Sequence, residues 1–300
     1  MYDLIIIGAG PAGITASIYA ARKKLNFLVI TKDIGGQTAW SGDIENYTGY
    51  QFITGPELTS KFEDHMRKYG LILKEDQAVT EVKKIDDKIV VKTDSGQYET
   101  KTVIIASGKR SRELNVPGEK EFKNRGLTYC ATCDAPLFSG KDVAVIGGGN
   151  SALDAVLQLI NIAKYIYMIN IVPHLTGDPV MIEKVEKSEI VSIMNNTRVL
   201  EIFGDKMVTE IKVKTDGEEK TLPVGGVFIE IGLIPNSQFA VDVDKNSFGE
   251  IKVDCYSHTN VPGIFAAGDV TDIPEKQIII AAGEGSKAAL SVFRYLNQRR

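Results

Sequence analysis

The chain has 300 residues, a formal net charge of −4 and ordinary apolar and charged fractions of 43% and 25%. That length exceeds one simple core and fits one large domain or two medium ones. The charge balance and the short basic clusters, such as Arg22-Lys23-Lys24, give no footprint for nucleic acid. No run of about 18 apolar residues is present, so no membrane span is expected. The start, Met1-Tyr2-Asp3-Leu4, lacks the basic stretch and small-residue cleavage site of a signal peptide, which points to a cytoplasmic protein.

Leu4–Ile7 is fully apolar and reads as a buried parallel strand. It runs into Gly8-Ala9-Gly10-Pro11-Ala12-Gly13, a helical pattern over 14–21 and a second strand, Phe27–Ile30. Strand, glycine turn, helix and strand are the context that the Gly-x-Gly-x-x-Gly pattern needs to bind a dinucleotide. Gly8 permits the tight turn, Gly10 admits a pyrophosphate against the backbone, and Gly13 lets the helix pack close. The helix N-terminus then meets the phosphates with unpaired N–H groups. The second strand does not end in an acid for an adenosine ribose; it ends in Thr31-Lys32, with Asp33 slightly beyond.

Residues 34–55 read as a long loop with Gly35-Gly36-Gln37, Trp40 and Ile44-Glu45-Asn46-Tyr47-Thr48-Gly49. Loops of this length inside a domain are often binding loops. A helix is expected over 56–68, where apolar residues recur at three- and four-residue spacing. Strands follow over 71–73, 78–84, 88–93 and 97–100, with Asp94-Ser95-Gly96 as a turn. A buried strand, 102–108, ends in small residues from Ala106 to Gly108, which let backbone approach a ligand closely.

Residues 109–123 are polar, contain Pro117-Gly118 and read as a domain boundary. Cys130-Ala131-Thr132-Cys133-Asp134 comes next. The chain has only three cysteines. In a reducing compartment such a pair is catalytic or metal-binding rather than a structural staple. Zinc would need two further ligands, and the scattered histidines and Cys255 offer no such spacing, so no metal is expected. A thiol pair can form a small disulfide, and only its thiolate attacks another. Asp134 is placed either to move a proton or to cap the next segment.

A strand over 142–146 then feeds Gly147-Gly148-Gly149-Asn150-Ser151-Ala152, a helix over 153–163 and a strand over 165–169. This is a second dinucleotide unit. After Ile169 an acid would bind the ribose of NAD, and arginines would bind the 2′-phosphate of NADP. The chain reads Asn170-Ile171-Val172-Pro173-His174 and has neither. NADH is favoured over NADPH, with Asn170 as a partner for a free ribose hydroxyl; a site that is weakly selective or takes neither nucleotide stays open.

Strands over 199–203, 208–214 and 226–230 precede Ile231-Gly232-Leu233-Ile234-Pro235-Asn236. An irregular stretch, 240–247, reads as a return linker. Residues 261–269 read as an apolar strand closed by Gly268-Asp269, where Asp269 either meets a cofactor hydroxyl or caps a turn. Lys276-Gln277-Ile278 leads into a helix over 281–296, whose start carries partial positive charge. Cys255 and His258 show no partner in the sequence.

Together these motifs resemble the low-molecular-weight thioredoxin reductase family over essentially the whole chain. The carriers are Gly8–Gly13, Gly35-Gly36-Gln37, Glu45-Asn46-Tyr47, Cys130–Asp134, Gly147–Ala152, Gly268-Asp269 and Lys276-Gln277-Ile278. Residues 133–138 and 231–236 are also similar to the flavoprotein part of alkyl hydroperoxide reductase. The resemblance implies an α/β fold of two nested Rossmann-like dinucleotide-binding domains, the second inserted in the first. An FAD-binding domain would span 1–112 and 245–300, and an NAD(P)-binding-like domain carrying the redox disulfide would span 113–244.

The resemblance further implies FAD held by Gly8, Gly10, Pro11, Ala12, Gly13, Gly35, Gly36, Gln37, Asn46, Ala106, Gly108, Gly268, Asp269, Lys276, Gln277 and Ile278, with the last helix facing a flavin carbonyl. A pyridine nucleotide would lie on Gly147, Gly149, Asn150, Ser151, Ala152 and Asn170. Cys133 would face the flavin, and Cys130 would face outward toward thioredoxin or a thioredoxin-like partner, in a homodimer. The family's usual His-Arg-Arg is replaced by Asn170-Ile171-Val172, a departure that disfavours NADPH. A subgroup fed by reduced ferredoxin, a reductase of a peroxiredoxin system and a non-catalytic flavin redox sensor stay open. Thiols that serve both a flavin and a protein partner require a domain rotation, expected about linkers 110–118 and 240–247.

Overall fold

The computed structural model describes all residues except Gly42, Glu45, Cys130, Arg299 and Arg300, and no side chain at Trp40, Asp43, Thr132 or Cys133. The chain forms two compact units, residues 1–110 with 234–300, and residues 111–233.

The first unit opens with β1 (Tyr2–Ala9), α1 (Pro11–Arg22) and β2 (Phe27–Ile34). Leu4 and Ile6 pack on one face with α1, while Ile5 and Ile7 pack on the other. Side chains alternate faces along a strand, so a strand covered on both sides must be apolar throughout. Burying each of these side chains contributes about 1.5–3 kcal/mol.

The stretch read as a loop holds a 3₁₀ turn, Gly36–Trp40, and a small hairpin of β3 (Asp43–Ile44) and β4 (Ile53–Thr54). Next comes α2 (Gly55–Arg67), started by a reciprocal cap: the Thr54 hydroxyl accepts the Glu57 N–H, and the Glu57 carboxylate accepts the Thr54 N–H. β5 (Ile72–Lys74), β6 (Val79–Ile85), β7 (Lys88–Thr93), β8 (Gln97–Ile105) and β9 (Lys109–Ser111) complete this passage. β8 is one strand, not the expected two. The polar run Thr100-Lys101-Thr102 hid its continuity, yet both threonines are fully buried and their hydroxyls donate to backbone carbonyls, Thr100 to Thr102 and Thr102 to Asp3.

In the second unit α3 (Glu119–Phe122), β10 (Leu127–Thr128) and α4 (Ala131–Asp134) precede β11 (Asp142–Ile146), α5 (Asn150–Leu159) and β12 (Tyr165–Ile169). α6 (Pro179–Glu186) and β13 (Val191–Met194) follow, then β14 (Thr197–Gly204), β15 (Val208–Thr215), β16 (Glu218–Pro223) and β17 (Gly226–Ile229). A parallel sheet runs β10-β17-β11-β12-β13, and β14-β15-β16 form a separate antiparallel sheet. Val143 and Val145 pack with α5 and α6; Ala144 and Ile146 pack with β14 and β15. α6, β13 and β16 were not expected from sequence.

The chain returns through β18 (Leu233–Pro235), β19 (Ile264–Ala266) and α7 (Ile278–Gln298). The first unit's sheet has the order β5-β2-β1-β8-β7-β6. β8 changes neighbour along its length, pairing antiparallel with β7 from Gln97 to Thr100 and parallel with β19 from Val103 to Ile105. The return falls at Ile234, earlier than the expected 245. Residues 240–247 look like a linker in sequence, but Ala240 and Val243 are buried in the core of the first unit. Only Ile264–Ala266 of the stretch 261–269 is strand. No described helix is long and apolar enough to cross a membrane.

α1 and α7 pack through glycine. A Cβ on Gly285 would overlap the Ala12 carbonyl oxygen, whereas a Cβ on Gly283 would meet nothing within 4 Å. Gly285→Ala is therefore expected to cost about 1–3 kcal/mol of unfolding free energy. Gly283→Ala should be neutral or up to about 1 kcal/mol stabilising. Urea unfolding of the two variants checks the contrast; equal effects would refute the close approach.

Candidate functional site

In the first unit the dinucleotide turn is built from missing side chains. Gly8 has φ +101°, and a Cβ there would strike the Ala106 carbonyl; a Cβ on Gly13 would strike the Gly8 carbonyl. The turn, the end of β8 and the first turn of α1 are thus in backbone contact. Gly10, just before Pro11, is different. Its Cβ position meets only the Gly35 carbonyl at 3.9 Å, and that of Gly36 meets only Gly10 Cα at 3.6 Å. The two glycines face each other across an open backbone cradle at the N-terminus of α1, where N–H groups and the helix dipole favour an anion. Gly35 closes one side through its N–H to the Ala9 carbonyl, 2.7 Å. Gly268 lies against Ala12, its Cβ position 2.9 Å from that of Ala12.

Polar side chains from distant stretches gather in the same unit. Gln37 Nε2 donates to the Lys109 carbonyl at 3.2 Å, and Asn46 Nδ2 donates to Gln277 Oε1 at 3.1 Å. Lys276 Nζ donates to the Thr271 carbonyl and lies 3.2 Å from Glu250 Oε1, which also takes Lys109 Nζ at 2.9 Å. Burial alone would raise the Glu250 carboxyl, but bonds from Lys109, Asn246 and Lys276 outweigh it and the net shift is downward. Asp269 is raised, chiefly by burial, with Lys276 and Lys109 opposing. No hydrogen bond from a described residue reaches its carboxylate, which suits a hydroxyl donor from a ligand. Glu284 of α7 accepts the Gly268 N–H at 2.8 Å and so fixes the turn that presents Asp269. Gly108 has open space at its Cβ position, and Ile278 packs beside Ile44, Ile53 and Leu58. An open glycine cradle at a helix start, with a half-buried acid that accepts no hydrogen bond from the described residues, fits a dinucleotide such as FAD. Lys109, Glu250 and Glu284 escaped the sequence reading because none lies in a motif.

The second turn differs in what surrounds it. Gly147 takes φ +140°, and its Cβ position falls on the Glu230 carbonyl; Ala152 packs 2.9 Å from it. Asn170 is not available for a ribose. Its Nδ2 donates to the carbonyls of Val172 and His174 and to Asn195 Oδ1, and its Oδ1 accepts the Val172 N–H. It is 2% exposed and clamps its own loop, correcting the expectation of a cofactor contact. The Thr176 N–H reaches the Gly148 carbonyl at 2.7 Å, and Asn150 Oδ1 accepts the Asp178 N–H at 2.6 Å. The Gly149 Cβ position meets only Thr176 Oγ1, at 3.8 Å, and Ser151 is exposed. Ile171, 71% exposed, shares a shallow groove with Arg198 and Lys214. Strands β14 and β15 bring those cations beside the position where the sequence seemed to offer none.

Cys130 and the Cys133 side chain lie outside the described residues, but their neighbours do not. Glu119, 2% exposed, accepts the N–H groups of Leu114 and Asn115 and the Tyr129 hydroxyl, the last at 2.8 Å. Burial and that bond push the Tyr129 phenol upward. On the other side Glu230 accepts the Ala131 N–H. Asp134 precedes the 3₁₀ turn Ala135–Phe138, and its side chain makes no capping hydrogen bond, so the capping role is not the one observed. Among the described residues no group of three metal-binding side chains clusters. His258 Nδ1 pairs with Asp254 Oδ2 at 2.9 Å, and Cys255 is exposed.

Known proteins place this geometry. An alkyl hydroperoxide reductase component (AhpF type) of Staphylococcus aureus strain MSSA476 is 42% identical over 299 residues, covering 98% of this chain and 59% of that protein. A Bacillus subtilis strain 168 protein named NADH dehydrogenase is 41% identical over 298 residues, covering 98% and 58%. The chain thus spans about six tenths of the length of these curated relatives. The solved structure of Lactococcus lactis thioredoxin reductase (FR conformation) aligns with a TM-score of 0.89 at 34% identity, covering 99% of this chain and 100% of that one. The profile described as Pyridine nucleotide-disulphide oxidoreductase matches residues 2–285, so the chain belongs to that family.

Proposed function

We propose that the chain is a flavoprotein disulfide reductase that passes electrons through FAD and the Cys130–Cys133 disulfide to thioredoxin or a thioredoxin-like protein. The observation that carries this reading is the gathering of Gly10, Gly36, Asp269, Lys276 and the Asn46–Gln277 pair in one unit. FAD supplies two-electron reduction of a disulfide when bound. The α1 N-terminus and Gly10 would hold its pyrophosphate, and Asp269 would accept from a hydroxyl. Asp134, free of a cap, would protonate the leaving sulfur. We take Cys130 as the sulfur that attacks the partner and Cys133 as the one that meets the flavin, in a homodimer of the reducing cytoplasm. A rotation that serves both contacts would turn at 110–111 and 233–234, where the chain passes between the units.

NADH is the favoured donor. The Asn170 clamp and the exposed Ile171 and Val172 leave the loop without a 2′-phosphate partner. NADPH is the second reading, because Arg198 and Lys214 border the same groove as Ile171. Reduced ferredoxin remains a donor to be tested. The name of the Staphylococcus relative also makes a peroxide-reducing system a candidate destination of the electrons.

Anaerobic mixing with NADH, NADPH or reduced ferredoxin, followed by flavin absorbance, separates the donors. NADH is expected to bleach it at least about tenfold faster than NADPH, a discrimination of about 1.4 kcal/mol. Faster bleaching by NADPH that Arg198→Ala abolishes would establish the second reading instead. Gly10→Val tests the cradle. Its Cβ position is open, so the flavin-free variant should unfold at the midpoint of the flavin-free native chain yet bind little flavin; full retention of flavin would refute the pyrophosphate site.

A further inference from the structure

Lys109, Glu250 and Lys276 come from three separate stretches of the first unit, and their side chains meet largely out of solvent. Glu250 Oε1 takes Lys109 Nζ at 2.9 Å and Lys276 Nζ at 3.2 Å, while Glu250 Oε2 accepts from Asn246 Nδ2 at 2.6 Å. The side chains of Lys109 and Glu250 are 12% and 14% exposed, and that of Lys276 is 24% exposed. Asn246 is fixed in turn, its Oδ1 accepting the N–H groups of Phe248 and Glu250. Two ammoniums thus share one carboxylate. The group carries one surplus positive charge in a place where solvent and salt screen it poorly.

Each member adjoins a residue of the flavin reading. Lys109 follows Gly108, and its carbonyl accepts from Gln37 Nε2 at 3.2 Å. Lys276 precedes Gln277, which binds Asn46, and α7 begins at Ile278. Ile251, next to Glu250, bonds through its backbone to the segment after Asp269: its N–H donates to the Val270 carbonyl and its carbonyl accepts the Asp272 N–H, both at 2.9 Å. Building on the disulfide-reductase reading, we infer that this group sets the reduction potential of the bound flavin. A flavin that takes up two electrons and one proton gains one negative charge, and a fixed positive charge nearby favours that form. Lys109 and Lys276 supply the charge. Glu250 is the positioning residue that keeps them together, since without it two half-buried ammoniums repel and stand unpaired. The N-terminus of α7 adds partial positive charge. Asp269 is the other acid of the site, and it is present in every variant below.

The test is the flavin potential in a C130S/C133S background, where flavin is the sole two-electron centre. Flavin-loaded full chain is equilibrated anaerobically at mildly alkaline pH with a reference dye of known potential, and both are read by absorbance. K109M removes the surplus charge and should shift the equilibrium about tenfold toward oxidised flavin, about 30 mV for a two-electron couple. E250Q keeps the shape and both ammoniums, and should shift it about threefold or more toward reduced flavin. K109R keeps the charge and should stay within about twofold of the parent. Loss of packing alone would not move K109M and E250Q in opposite directions. Shifts of the same sign, or a potential unmoved in either variant, would overturn the assignment. Should E250Q fail to fold, K109M against K109R decides: equal potentials would overturn it. A native chain that takes up no flavin would reject the reductase reading and this assignment with it. Opposed shifts in a protein whose flavin never reduces the native cysteine pair would leave this assignment standing and reject the reductase reading alone.

Discussion

The backbone around Ala12 has room for almost nothing else. The Gly8 turn and Gly13 bring α1 down onto the end of β1; Gly285 sets α7 against the Ala12 carbonyl, and Gly268 sits against its side chain. Two stretches far along the chain, at Gly268 and Gly285, converge on Ala12 because side chains are absent there. The cradle of Gly10 and Gly36 opens beside this knot, and the Gly268-Asp269 turn is held to it by Glu284. Bulk added at Gly13 or Gly285 would displace a helix, whereas bulk added at Gly10 would fill the cradle.

The same logic explains how far the sequence could be read. β1, β11 and β12 were legible because strands buried on both faces must be apolar without interruption, and the glycine turns gave their ends. β8 was legible only in halves, since Thr100 and Thr102 are polar in sequence, and only the fold supplies the backbone carbonyls, on β1 and β8, that satisfy their buried hydroxyls. Residues 240–247 looked like a linker because two buried side chains, Ala240 and Val243, suffice to hold that stretch in the core. Gly10 meets Gly35 and Gly36, and Asn46 meets Gln277, within the first unit. The partners that set the site's charge, Lys109 and Glu250, are single residues in unremarkable contexts, and only tertiary contact reveals them.

Asn170 marks the limit from the other side. Its position after β12 is where a ribose partner belongs, and an amide suits that task chemically. Yet its hydrogen-bonding capacity is spent on Val172, His174 and Asn195, so it shapes the loop instead. A sequence position identifies the residue but not what has already engaged its side chain. The cations of the neighbouring groove, Arg198 and Lys214, illustrate the converse: they lie on strands that the sequence places well beyond the nucleotide motif.

Charge gives the second unit its character. Tyr129 and Ala131, on either side of Cys130, are held by Glu119 and Glu230, two acids that burial would ordinarily exclude unless hydrogen bonds met them. This anchoring is what a thiol segment needs if it is to change redox state without losing its place. The central claim is that flavin and thiol pair form one electron path in this chain. An anaerobic reductive titration of the flavin-loaded protein tests it most directly. Uptake of two electron pairs per chain, with new thiols appearing at Cys130 and Cys133, is the predicted result. Uptake of a single pair that bleaches the flavin and leaves those two cysteines unchanged would contradict the account.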